Sequence, residues 1–108
     1  MFLPFTVRKL VIEDMMGSRY KMIGPQQMWA RQLHTEYGTT AMLDVSGEGA
    51  EAWIMGWKTK HSKEQPVLRV ANGAEVESFG PFCFMLSSSS DTPLIIKDDG
   101  RLYICFRQ

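Results

Sequence analysis

The feature that most constrains the fold of this chain is the tripeptide Ala-Asn-Gly at residues 71–73, between two short apolar runs. Three-residue loops of this kind join antiparallel strands, and the glycine suits the position that needs a positive φ. The loop would set Leu68 opposite Val76 on one face and Arg69 opposite Glu75 on the other. The sequence therefore predicts a β-hairpin with one apolar face and one charged face.

A second hairpin is predicted near the end of the chain, where Asp99-Gly100 forms a favoured two-residue turn. This turn would place Ile96 opposite Tyr103, and both faces of the hairpin are largely apolar beyond its tip. Such a hairpin is expected at the centre of a sheet or against a partner, because apolar surface on both faces needs cover.

One helix is predicted, over residues 25–37. Pro25 suits the first helical position, and Gly38 suits the position just after the last helical residue. His34 would lie on the solvated side of this helix. The opposite side is formed by apolar residues that recur every four positions, namely Trp29, Leu33 and Tyr37.

The remaining sequence consists of short apolar segments separated by turn residues, which is typical of an all-β chain. We expect residues 1–108 to form a single β-rich domain, mainly β and at the margin of α+β. Its predicted architecture is an antiparallel sandwich or small barrel of roughly seven to nine short strands, with the helix packed on it. No internal repeat or domain boundary is visible in the sequence.

Composition limits the possible partners. Twelve basic and twelve acidic residues give a formal net charge of zero, so the chain lacks the broad positive field that drives non-specific nucleic-acid binding. No apolar run is long enough to span a membrane, and the first residues lack the charged start of a secretory signal. We therefore expect an intracellular, cytoplasmic location or a particle assembled there, with no membrane partner and no secretion.

The richest stretch for binding is residues 52–76, which contains two of the three tryptophans. Period two places Trp53, Met55 and Trp57 on one face, with Gly56 marking a bend or a close backbone approach. The tryptophans are either core residues or a platform for a base, a sugar or a partner's side chain. A basic cluster follows them, comprising Lys58, Lys60, His61 and Lys63.

This cluster admits two interpretations. Lysines beside an aromatic ring suit a single-stranded nucleic acid, whose phosphates they would neutralise while a base stacks on the ring. Alternatively, the cluster is a solvated loop whose lysines protect the edge of a sheet. The neutral charge of the whole chain favours the second interpretation.

Catalytic signatures are absent from the sequence: there is no phosphate-binding loop, nucleophile elbow or zinc-ligand spacing. Cys83 and Cys105 lie in apolar runs and are predicted to be buried free thiols, and the apolar setting of Cys83 predicts an unreactive thiol. A disulfide between them would require their strands to be neighbours. If the chain were an enzyme, the candidate residues would be Cys83, His34 and His61. We predict no catalytic residue, no metal and no cofactor.

The expected function is a non-enzymatic protein-binding or assembly module that self-associates into a homo-oligomer. A short chain with apolar residues on both faces of several strands has surplus apolar surface, which tends to find a partner. A component of a viral or other particle would fit this description. The alternative is a small barrel that binds single-stranded nucleic acid through Trp53, Trp57 and the basic cluster.

Overall fold

The computed structural model describes residues 8–17, 20–35, 41–61, 66–85 and 94–105. These residues form ten strands and no helix. In chain order the strands are β1 (Arg8–Glu13), β2 (Met16–Gly17), β3 (Tyr20–Ile23), β4 (Gln26–Thr35), β5 (Leu43–Ser46), β6 (Glu51–His61), β7 (Leu68–Ala71), β8 (Glu75–Met85), β9 (Ile95–Asp98) and β10 (Arg101–Cys105).

The strands form two sheets, and every pairing is parallel. Sheet A has the order β1-β4-β6-β8-β10, with β2 also paired to β4, and sheet B has the order β3-β5-β7-β9. From β3 onwards the chain alternates between the two sheets, so that each pair of strands makes one coil that stacks on the coil before it. The described part of the chain is therefore a parallel β-solenoid.

The stacking reveals a repeat that the sequence did not disclose. Gln27 and Glu51 are register partners 24 residues apart, and Glu75 and Arg101 are register partners 26 residues apart. Most residues at equivalent positions differ in type, because a solenoid repeats the direction of a side chain rather than its identity. For this reason inspection of the sequence showed no repeat.

The core lies between the two sheets and is built from columns of side chains that stack from coil to coil. In sheet A one inward column contains Met28, Ala52 and Val76, each at most 1% exposed. In sheet B Val45 and Val70 are register partners and are fully buried. Each coil thus covers the apolar side chains of its neighbours.

A column of left-handed residues bends sheet A from the β1–β2 segment to β8. The residues stand at the same point of successive coils and have positive φ: Asp14 (49°), Gln32 (56°), Gly56 (76°) and Gly80 (68°). One left-handed residue interrupts the regular alternation of inward-pointing and outward-pointing side chains along a strand. In β6, for example, Ile54 points inward before the bend and Trp57 points inward after it.

The predicted helix at residues 25–37 is wrong, because residues 26–35 form strand β4. The inward residues of β4 are Met28, Ala30, Leu33 and Thr35, each at most 1% exposed. The left-handed Gln32 lengthens one interval between them from two residues to three. The four-residue spacing that suggested a helix joined residues of opposite faces, because Trp29 points outward and Leu33 points inward. Tyr37, which was expected on the same face, lies outside the described residues.

The predicted antiparallel sandwich or barrel is also wrong, although the chain is mainly β as expected. Residues 72–74 and Asp99-Gly100 are turns, but each leads from sheet B to sheet A instead of closing a hairpin. Arg69 consequently pairs with Asp44 of the preceding coil at 2.8 Å, and not with Glu75. Left-handed turn residues occur both in hairpins and in corners that lead to a second sheet. The residues of the turn therefore do not show which of these two connections forms.

Candidate interaction surface

The outer face of sheet A carries large apolar side chains in two neighbouring columns. Their exposed fractions range from 37% for Trp29 to 71% for Val11, and Trp53 is half-buried. We refer to these residues as the apolar strip: Val11, Trp29, Trp53, Met55, Phe79 and Tyr103. Their side chains point away from the core because they alternate with the inward columns.

Two tryptophans form the centre of the apolar strip. Trp29 of β4 and Trp53 of β6 are register partners, and their ring centroids lie 5.0 Å apart with an interplanar angle of 14°. Neighbouring strands place equivalent side chains about 4.8 Å apart, which is the distance at which aromatic rings stack. Each ring therefore covers a face of the other, and together they form one rigid apolar block.

Charged residues lie at both margins of the apolar strip. At the margin where the strands of sheet A begin, Glu51 accepts a hydrogen bond from Gln27 (3.4 Å) and Glu75 pairs with Arg101 (3.4 Å). Lys58 lies at the other margin, towards the end of β6. Two charged residues stand within the columns themselves: Arg31 is the register partner of Met55 and pairs with Glu13 at 3.6 Å, and Glu77 is the register partner of Trp53. Exposed ion pairs contribute little to stability. Their arrangement matters mainly for orienting a partner.

Trp57 does not belong to this surface. It is 2% exposed, and its Nε1 donates a hydrogen bond to Oγ1 of Thr35 at 3.0 Å. The left-handed Gly56 turns Trp57 inward, so that Trp53 and Trp57 lie on opposite faces of sheet A. The expectation that both tryptophans share a face is therefore wrong.

The basic cluster is only partly visible in the described residues. Lys58 is exposed on the outer face of β6, where it is the register partner of His34. Lys60 and His61 continue β6 rather than lying in a loop, and their side chains are outside the description. Lys63 lies outside the described residues. A role of these residues in binding stays a prediction.

The catalytic candidates of the sequence analysis lie on three neighbouring strands, and His61 of β6 stands two register positions from the partner of Cys83 in β8. His34 is half-buried on β4. Cys105 is a free thiol on β10 and is exposed, which corrects the expectation that it is buried. Cys83 belongs to β8, but its side chain is outside the description. In the described part of the chain, no group of three or more His, Cys, Asp or Glu side chains could hold a metal ion.

Comparison of the chain with protein-family models, with curated proteins and with solved structures finds no match. Within the described ranges no helix is long and apolar enough to cross a membrane. The functional argument for this protein therefore depends on the geometry of the apolar strip and its margins.

Sequence reasoning missed most of the apolar strip, including Trp29, Phe79 and Tyr103. One signal could have revealed its centre, because Trp29 and Trp53 are separated by the same 24 residues as Thr35 and Thr59. Coincident pairs of this kind indicate a repeat, and a repeat predicts that the paired residues stack.

Proposed function

We propose that this protein is a non-enzymatic protein-binding module that associates with a second copy of itself through the apolar strip. The observation that carries the proposal is the exposure of Val11, Met55, Phe79 and Tyr103 on one face, around the Trp29–Trp53 stack. Contiguous exposed apolar surface is costly in water, and on soluble proteins it is typical of protein-interaction sites. Aromatic residues and methionine are also enriched in such interfaces.

A second copy is a suitable partner because an identical apolar strip would cover this one and because carboxylates at one margin would face Lys58 at the other. Glu51 and Glu75 lie, together with Arg101, where the strands of sheet A begin, and Lys58 lies towards the end of β6. Two such faces related by a two-fold axis, with their strands opposed, bring Glu51 and Glu75 of one copy towards Lys58 of the other. The apolar strips then meet in the middle, as in a sandwich of two sheets.

The same features argue against single-stranded nucleic acid as the ligand of this face. Trp29 and Trp53 stack on each other, so each has a ring face that is unavailable to a base. Trp57 is buried. Glu51, Glu75 and Glu77 also lie on or beside the apolar strip, where their carboxylates would repel phosphates.

The test compares the solution mass of the native chain with that of a Met55→Glu, Phe79→Glu double variant. Both side chains are largely exposed, so the variant should fold as the native chain does. Sedimentation should show a native dimer at micromolar concentration and a dimer dissociation constant at least about a hundredfold weaker in the variant, because two carboxylates would be desolvated in the interface.

Ile23→Glu is the matched control, because Ile23 is 58% exposed on the outer face of sheet B. This control should dimerise like the native chain. The proposal fails if the native chain is monomeric at about 100 μM, a concentration at which even a weak specific interface should be populated. It also fails if the native chain binds a single-stranded oligonucleotide in a salt-sensitive manner and the double variant loses that binding.

A further inference from the structure

One carboxylate stands in the middle of the apolar strip. Glu77 of β8 lies in the column of Trp29 and Trp53, with Trp53 as its register partner on one side and Tyr103 as its register partner on the other. The next outward residue along β8 is Phe79, which is 49% exposed. Glu77 is therefore bordered by aromatic residues on three sides.

Glu77 differs from the other carboxylates of this face, because it has no ion pair or side-chain hydrogen bond with another described residue. Three neighbouring carboxylates each have a partner on an adjacent strand, and these pairs are Glu13–Arg31, Glu51–Gln27 and Glu75–Arg101. Glu77 is also half-buried. In the single chain its carboxylate is therefore solvated by water alone.

The symmetry of the proposed dimer determines what lies opposite Glu77. A two-fold axis that opposes the strands of two facing sheets runs along the direction of stacking, so each strand faces the same strand of the other copy. The charged residues in the sequence of β8 are Glu75 and Glu77. With the margins aligned as proposed, Glu77 of one copy lies two to three positions along the strand from Glu77 of the other, which is about 7–10 Å.

No cation of the described residues lies opposite Glu77 in this arrangement. Arg31 belongs to β4, which is two strands away from β8 in sheet A. Arg101 and Lys58 lie at the margins of the apolar strip. The titratable and charged groups on the three strands that surround Glu77 are Glu51, Lys58, Lys60 and His61 of β6, Glu75 and Cys83 of β8, and Arg101, Tyr103 and Cys105 of β10.

We propose that self-association through the apolar strip is coupled to protonation of Glu77, so that the dimer becomes tighter as the pH falls. This inference rests on the proposed function, because Glu77 is enclosed only when a second copy covers the apolar strip. Loss of water disfavours the charged form of a carboxyl group, and a second carboxylate nearby disfavours it further. The dimer therefore binds more protons than two separate copies do, and by linkage its association constant rises as the pH decreases.

Two other groups at the margins also respond to pH. Protonation of Glu51 and Glu75 removes their attraction to Lys58 of the second copy, so these carboxyl groups weaken the dimer in acid. Protonation of His34, the register partner of Lys58, adds positive charge at the same margin and strengthens that attraction. A substitution of Glu77 alone separates its contribution from both of these effects.

The experiment measures the dimer dissociation constant of the full chain by sedimentation, at about pH 7.5 and at about pH 5.5, for the native chain, Glu77→Gln and Glu48→Gln. Glu77→Gln has nearly the same shape as the native residue and cannot ionise. Glu48→Gln is the matched control, because Glu48 is exposed in the corner between β5 and β6 and lies away from the apolar strip. Circular dichroism at both pH values establishes that each chain is folded.

The dissociation constant of the native chain should fall at least about tenfold between the higher and the lower pH. Glu77→Gln should dimerise at least about tenfold more tightly than the native chain at the higher pH, because no charge is desolvated, and most of the tightening in acid should be lost. Glu48→Gln should match the native chain at both pH values. Native tightening in Glu77→Gln, or a native dimer that is unchanged or weaker in acid, would overturn the inference.

Failure of this inference is distinguishable from failure of the proposed dimer. A dimer that Met55→Glu and Phe79→Glu weaken, but whose dissociation constant is the same in the native chain and in Glu77→Gln, would refute the role of Glu77 and retain the apolar strip as the interface. If the native chain and Glu77→Gln are both monomeric at about 100 μM and at both pH values, the dimer and the inference are both overturned.

Discussion

At the scale of single residues, the most specific arrangement is a chain of buried hydrogen bonds beneath the bend of sheet A. Nε1 of Trp57 donates to Oγ1 of Thr35 (3.0 Å), Thr35 donates to Oγ1 of Thr59 (2.9 Å), and Thr59 donates to Sδ of Met42 (2.8 Å). Each buried donor therefore has an acceptor, which removes the cost of burying polar groups. Thr35 occupies the central place, because its hydroxyl both accepts and donates.

This arrangement predicts unequal effects for two substitutions of the same size. Thr35→Val removes the acceptor of the Trp57 N–H group and should cost about 1–3 kcal/mol of unfolding free energy, because a buried donor is left without a partner. Thr59→Val leaves that bond intact and should cost less, about 1 kcal/mol. Urea denaturation of the two variants measures the difference. Equal losses, or a larger loss for Thr59→Val, would contradict the assigned role of Thr35.

At the scale of the strands, the left-handed column determines which residues are core and which are surface. Because Gly56 has a φ of 76°, Trp53 points out of the solenoid and Trp57 points into it. The neighbouring strands make the same change at Gln32 and at Gly80, so the bend runs straight across sheet A. Glycine adopts this conformation without strain, whereas other residues carry a cost of about 1–2 kcal/mol.

Gly80 offers a clean test of that cost. A Cβ at Gly80 would have no heavy atom of the described residues within 4 Å, so the strain of Gly80→Ala is conformational and not steric. We expect this variant to lose about 1–2 kcal/mol of unfolding free energy. Gln32→Ala is the control, since the native residue at that position already adopts the left-handed conformation. Thermal and urea unfolding should show little change for Gln32→Ala, and an equal loss at both positions would refute the explanation.

At the scale of the whole molecule, a solenoid is stabilised by contacts between neighbouring coils. The inward residues of the middle strands are almost completely buried, and Ile54, Val70 and Val76 are 0% exposed. Leu10 lies in the same inward column as Met28 but is 52% exposed. It is exposed because β1 is the first strand of sheet A and has a neighbouring strand on one side only. Stability should therefore decrease from the middle of the stack towards its ends.

Hydrogen exchange tests this gradient. Backbone amides of β5, β6 and β7 should exchange slowest, because these strands have a paired neighbour on each side. Amides of β1 and β10 should exchange faster, since each of these strands has one paired neighbour in sheet A. Measurement on the Met55→Glu, Phe79→Glu variant, in which self-association through the apolar strip should be weakened, limits protection by a partner. Equal protection of β1 and β6 would contradict a stack that opens from its ends.

The sequence by itself determined where the chain turns and where many of its strands lie. Asn72, Gly73 and Asp99 were predicted as turn residues, and each has a positive φ in the structure. The segments that flank the second turn, residues 95–98 and 101–105, were predicted as strands and are strands. These features are local, because the conformational preferences of a few adjacent residues are sufficient to produce them.

Only the tertiary structure decided which strands pair, and with that it decided the composition of the candidate interaction surface. Leu68 pairs with Leu43 and Ile95 of the neighbouring coils, and not with Val76 across the turn. Trp29 likewise reaches the surface beside Trp53 because β4 is a strand in register with β6. A turn can close a hairpin or lead to a second sheet, and the choice between them depends on the apolar burial gained between residues about 24 positions apart.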